Sequence, residues 1–175
     1  MKTHLTSIGL SLVVGLVALT SSSLAQHLAD KGTESIGVYD SRAVAIACAG
    51  SIFQQNKMRD LTSQLKKAKE SGDAKEVSRL EAEGKAWQAQ LHRQGFGTAP
   101  VDDILTNIAS ELPKIQQTVG VTSLVSKWNK AEFDKHLNAE RIDVTLQLID
   151  AFHPSGKQRQ YALDIQKKSP VKVKE

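Results

Sequence analysis

The chain contains a single cysteine, Cys48, so no disulfide can form within it. Its setting, "AVAIACAG", reads as a small buried hydrophobe, because a catalytic thiol needs a nearby base and no local motif supplies one. Aromatic residues are scarce at 5%, and no nucleic-acid-binding motif is recognisable, which argues against a nucleic-acid partner. The histidines, His4, His27, His92, His136 and His153, are scattered and none falls in an HExxH-type spacing, so no metal site is expected. No GxxxxGK[ST] loop is present, so a nucleotide would lack its phosphate cradle. Asp102 and Asp103 are adjacent and would not share a helix face, and stabilising a helix start through the dipole explains them. Without a catalytic constellation or an expected cofactor, the chain reads as a non-enzyme, with a small exported enzyme as the minor alternative.

What is present begins at the N-terminus. Lys2 precedes the apolar run "IGLSLVVGLVAL", residues 8–19, which is too short to span a bilayer comfortably. "TSSSLAQ" follows, with Ser23 and Ala25 at the small-residue positions that a signal peptidase reads. Residues 1–25 therefore read as a signal peptide cleaved between Ala25 and Gln26, an uncleaved anchor being the alternative. No cysteine follows the run, which argues against a lipid anchor.

The net charge of +4 is unevenly placed. The last ten residues, "QKKSPVKVKE", carry +3, residues 26–165 are balanced, and within them residues 42–94 carry +4. A basic excess on one central segment and one tail suits anionic surfaces or acidic polypeptides, or else a solvated helical face.

Along the chain, residues 26–34 read as a flexible lead-in. "SIGVYD" alternates as a short strand, with Ile36 and Val38 on one side and Gly37 and Tyr39 on the other. Asp40 or Ser41 is a suitable N-cap for a helix predicted to run from Arg42 for ~28 residues, or ~40 Å. Its Met58, Leu61, Leu65 and Ala68 step by heptad spacing. Ser71, Gly72 and Asp73 supply a turn, and Val77, Leu80, Gly84, Trp87 and Leu91 continue the spacing on a second helix. Two helices with narrow seams and a tight turn predict an antiparallel coiled-coil hairpin over about 42–94. "GFGTAP" stops the second helix, a fuller helix over 101–119 is kinked or restarted by Pro113, and Gly120 ends it. "VTSLVSKWN" reads as a strand pairing with the first, residues 129–141 as a short strand or a loop, and Asp143 or Thr145 as the cap of a helix carrying Leu148, Ile149 and Phe152. Residues 154–175 read as a basic, disordered tail. The fold class is α+β: a small β-sheet body, residues 35–41 and 101–153, from which the helical hairpin projects. So small a sheet is a weak core for the mature chain, and oligomerisation is the natural cover.

Three stretches, "IGVYDSRAVAIACAGSIFQQ", "ILTNIASELPKIQQTVGVTSLVSKWN" and "RIDVTLQLIDAF", resemble, in that order, the opening strand and first arm, the returning helix and second strand, and the closing segment of the Skp/OmpH family of periplasmic chaperones. The resemblance spans roughly residues 35–152. It implies a periplasmic homotrimer whose arms hold unfolded outer-membrane or envelope proteins without ATP, with an anionic lipid surface as a further contact. Carried over, the client-binding candidates are Met58, Leu61, Leu65, Lys66, Lys67, Lys69, Val77, Arg79, Leu80, Lys85 and Trp87. Lys57, Arg59 and Lys75 would add charge to the arms. The arms are short for engulfing a client, so the alternative is a structural or adaptor protein of the envelope with the same trimeric body.

Overall fold

The computed structural model describes residues 34–170. The signal segment with its cleavage at Ala25 and Gln26, nearly all of the lead-in, and residues 171–175 lie outside the described residues. The architecture is α+β. Strand β1, Ser35–Tyr39, is central in a three-stranded sheet between β2, Ser123–Ser126, and β3, Glu140–Asp143, and pairs parallel with both. Parallel neighbours require long crossovers, and the one from β1 to β2 contains most of the helices. Gly37 lies opposite Leu124 on one side and Ile142 on the other. A Cβ on Gly37 would come within 2.8 Å of Leu124 Cδ2 and 3.0 Å of Val144 Cγ2, so its missing side chain is what lets these neighbours close over the strand.

Helix α1, Ser41–Ala49, follows directly, with the Asp40 carboxylate accepting from the Arg42 backbone N–H as N-cap. Its small residues Ala43, Ala47 and Cys48 are fully buried. They let helix α7, Thr145–Ala151, and helix α8, Gly156–Ile165, approach closely around a core completed by Val44, Ile104, Ile108, Leu148, Ile149 and Phe152.

The helix predicted to run unbroken from Arg42 stops at Ala49 and restarts as α2, Ile52–Glu70. The break is satisfied from outside the helix. Gln158 of α8 donates its side-chain amide to the Ile46 carbonyl at 2.7 Å, and the Ser51 hydroxyl donates to the Cys48 carbonyl at 2.6 Å. Gly50 leaves the space that the Gln158 side chain occupies. Helix α2 is thus 19 residues, ~28 Å, shorter than expected.

Helix α3, Ala74–Gly95, packs against α2 after the turn at Ser71–Asp73, where Asp73 caps α3 through the Glu76 N–H at 2.9 Å. Along the facing sides Ala68 and Leu80 are buried and Leu61, Leu65, Val77, Gly84 and Trp87 are half-buried. A Cβ on Gly84 would lie 3.3 Å from Leu61, and Lys69 meets Glu81 at 3.4 Å. Met58 is a correction: it is 54% exposed. Lys57, one position earlier, lies over the Trp87 ring at 5.0 Å and takes the place expected for it.

The predicted helix over 101–119 is three pieces: α4 at Asp102–Leu105, a 3₁₀ turn at Thr106–Ile108, and α5 at Leu112–Val119, with Pro113 in its first turn. Gly120, at φ +74°, ends α5. Residues 129–141 hold helix α6, Lys130–Phe133, a 3₁₀ turn and the start of β3. The tail is the second correction. Residues 156–165 form α8, capped by the Ser155 hydroxyl and packed on α1 through the buried Ala162. Its polar pattern hid it, because its only fully buried side chain is Ala162, with Leu163 and Ile165 partly buried against the core.

Candidate functional site

The sequence-derived candidates all lie on α2 and α3, but they are not equivalent. Leu80, at 2% exposure, belongs to the seam and presents nothing to a ligand, which corrects its assignment. Leu61, Leu65, Val77 and Trp87 are half-buried between the helices. Lys66 pairs with Glu70 at 3.7 Å and Lys69 with Glu81. Arg79 is held in a fork by Glu76 at 2.7 Å and Glu83 at 3.0 Å. Its hydrogen bonds hold Glu76 below the usual carboxylate range. Lys67 and Lys85 are exposed and make no ion pair among the described residues. At the start of α2 the structure adds two exposed apolar residues outside the candidate set, Ile52 and Phe53, 56% and 37% exposed; of these Phe53 falls in the helical spacing of the sequence. Phe53 stacks edge-on against Phe152, with ring centroids 6.4 Å apart. A cavity of about 320 Å³ opens between the helices, with Phe53, Lys57, Leu61 and Trp87 in its lining.

A second constellation sits at the C-terminal ends of the strands, where sequence reading found only a helix cap. Asp40 is fully buried. Its carboxylate accepts from Arg42 Nη2 at 2.8 Å and Trp128 Nε1 at 2.8 Å, and pairs with Lys127 Nζ at 2.7 Å. Burial alone would raise its pKa, but the bonds from Arg42, Lys127 and Trp128 outweigh burial and hold it at about 2. Arg42 stacks on the Trp128 ring at 4.6 Å and donates Nη1 to the Lys168 carbonyl at 3.1 Å. The local signal in sequence is the pair of dipeptides "DS" before Arg42 and "KW" at 127–128, which only the β1–β2 register brings together.

Beside this knot lies a cavity of about 560 Å³, walled by the 97–102 loop, by β2 and by Trp128, with Tyr39 and Ser41 in its lining. Burial, then the nearby Asp102 carboxylate, push the Tyr39 phenol up to about 12. Asp102 and Asp103 stand in the first turn of α4, as the dipole reading expects, and Asp103 also accepts from Gln94 at 2.6 Å and Gln90 at 2.8 Å, tying the end of α3 to α4. Cys48 lies in the core, and burial raises its thiol pKa, which keeps it protonated and unreactive.

No three His, Cys, Asp or Glu side chains among the described residues are grouped to hold a metal, and no helix among them is long and apolar enough to cross a membrane. No family model, curated protein or solved structure matches the chain.

Proposed function

We propose that the protein is an ATP-independent holdase of the Skp/OmpH kind, exported to the periplasm, that binds unfolded outer-membrane or envelope polypeptides with α2 and α3 as an antiparallel hairpin arm. What carries the reading is the mixture on those helices: exposed Ile52, Phe53 and Met58 together with Lys67 and Lys85, exposed cations that make no ion pair among the described residues. Many weak apolar and electrostatic contacts suit an extended client of no fixed sequence and need no catalytic residue. The body is a homotrimer in this reading, since one three-stranded sheet is a small platform for two helices with so thin a seam.

The test is suppression of aggregation of several unfolded β-barrel proteins. Suppression that is complete at about one trimer per client and weakens as salt is raised is expected. No suppression of any client would overturn it. The adaptor reading is favoured by one observation, the modest reach of α2, ~28 Å. It predicts a trimer by light scattering that leaves aggregation unaffected.

A further inference from the structure

The cavity of about 320 Å³ between α2 and α3 has walls that specify a side chain more narrowly than the rest of the arm does. Two aromatic rings line it from opposite helices, Phe53 on α2 and Trp87 on α3, and Leu61 adds aliphatic surface. The Phe53 ring is braced edge-on by Phe152, which is 1% exposed in the core of the body. That wall is set before any ligand arrives, which lowers the cost of binding. Phe53 is still 37% exposed, so aromatic surface remains for an occupant to cover.

The charges around this space decide between kinds of occupant. The Lys57 ammonium already lies over the Trp87 ring at 5.0 Å, so a second cation on that ring would meet a like charge. Asp60 and Glu83 also line the cavity, so an anion would meet two carboxylates. Glu83 is taken up by Arg79 at 3.0 Å, whereas Lys57 and Asp60 enter no ion pair among the described residues. A neutral group that both donates and accepts suits such surroundings. It can donate to Asp60 and accept from Lys57 or from the side-chain amide of Gln64, which lines the same space. An aliphatic or phenyl side chain would cover the rings and leave these polar groups unused. Tyrosine has both parts, an apolar ring and a hydroxyl that donates and accepts.

We propose that this cavity is a slot for a tyrosine side chain of an unfolded client, its ring against Phe53 and Trp87 and its hydroxyl on Asp60. The proposal rests on the reading of α2 and α3 as the client-binding arm and adds a preference to it. Such a slot reads one side-chain type and leaves the rest of the client's sequence free.

The test follows the indole N–H resonances of the two tryptophans, Trp87 and Trp128, in the full chain. The protein is titrated with capped pentapeptides of glycine that carry tyrosine, phenylalanine, leucine, arginine or glutamate at the centre. The Trp87 resonance should shift with the tyrosine peptide while that of Trp128 stays in place. Tyrosine should bind about threefold or more tighter than phenylalanine, the worth of an added hydrogen bond, and the other three should bind more weakly still. Asp60 is exposed, and Asp60→Ala should abolish the advantage of tyrosine over phenylalanine and leave phenylalanine binding as it was. An unmoved Trp87 resonance, equal binding of tyrosine and leucine, tighter binding of arginine or glutamate, or a tyrosine preference that survives Asp60→Ala overturns the proposal. These readouts are separate from the aggregation assay. A protein that suppresses aggregation with Trp87 unmoved loses the slot and keeps the arm, whereas one that suppresses nothing while Trp87 answers to tyrosine keeps the slot and loses the holdase.

Discussion

Helices α1 and α2 are separated by Gly50 and Ser51 alone, and they live in opposite surroundings. All of α1 except Ile46 and Ala49 is buried, whereas in α2 only Ala68 is. The same contrast recurs in two arginine forks of nearly equal geometry. Arg42 at the start of α1 meets Asp40 at 2.8 Å, and Arg79 on α3 meets Glu76 at 2.7 Å. Distance does not distinguish them. The first pair is closed off from water and shares its carboxylate with Lys127 and Trp128, while both partners of the second stand in solvent. The lesson is that in this molecule the worth of a contact is set by where its element packs.

The sharpest way to break the comparison is to unbalance the buried fork. Asp40→Asn keeps an acceptor for the cap but leaves the Arg42 guanidinium uncompensated in the core, and should cost about 3–5 kcal/mol in urea unfolding. The acid limb of stability reports on the same group. The folded-state pKa of Asp40 lies at about 2, below the ordinary 3.8, so its contribution is complete above about pH 4 and is lost as pH falls through about 2. The native protein should therefore lose more stability between pH 4 and 2 than Asp40→Asn does. Parallel acid profiles would show that the carboxylate is not held by its partners.

A smaller effect is expected at the junction itself. Gly50→Ala places a Cβ where the Gln158 side chain lies, so Gln158 must move and release the Ile46 carbonyl. A loss of about 1–3 kcal/mol should result, with faster hydrogen exchange in α8 and no change in the α2–α3 turn. If α1 and α2 instead fuse into one helix, α8 stays protected and the account of the break fails.

This junction also shows what was legible in sequence. The strand at 35–39, the turn at 71–73, the restart at Pro113 and the stop at Gly120 were readable because each rests on local chemistry: alternation, caps, a missing N–H, a left-handed backbone. The break at Gly50 was not, because alanine-rich and amphipathic helical patterns join without a seam, and what ends α1 is a glutamine from residue 158. The Asp40 knot was hidden for the same reason, its partners lying at 127 and 128, joined only by strand register. Heptad spacing placed Leu61, Leu65 and Leu80 on the seam but could not foresee Lys57 covering Trp87 in place of Met58.

The smallest effect belongs to the exposed fork. Arg79 bridges Glu76 and Glu83 on one face of α3, at helical spacings of three and four residues. Water and salt screen both pairs, so exposed pairs of this kind contribute little. Arg79→Ala should therefore leave the urea midpoint nearly unchanged, and any shift should shrink further at high salt. Alanine keeps helix propensity high, so any larger loss has to come from elsewhere. A loss approaching that of Asp40→Asn would mean that Arg79 is enclosed in the working molecule, as it would be if a second copy packed on this face of α3. The exposed fork thus serves as the control for the buried one and as a probe of whether α3 stands free in solution.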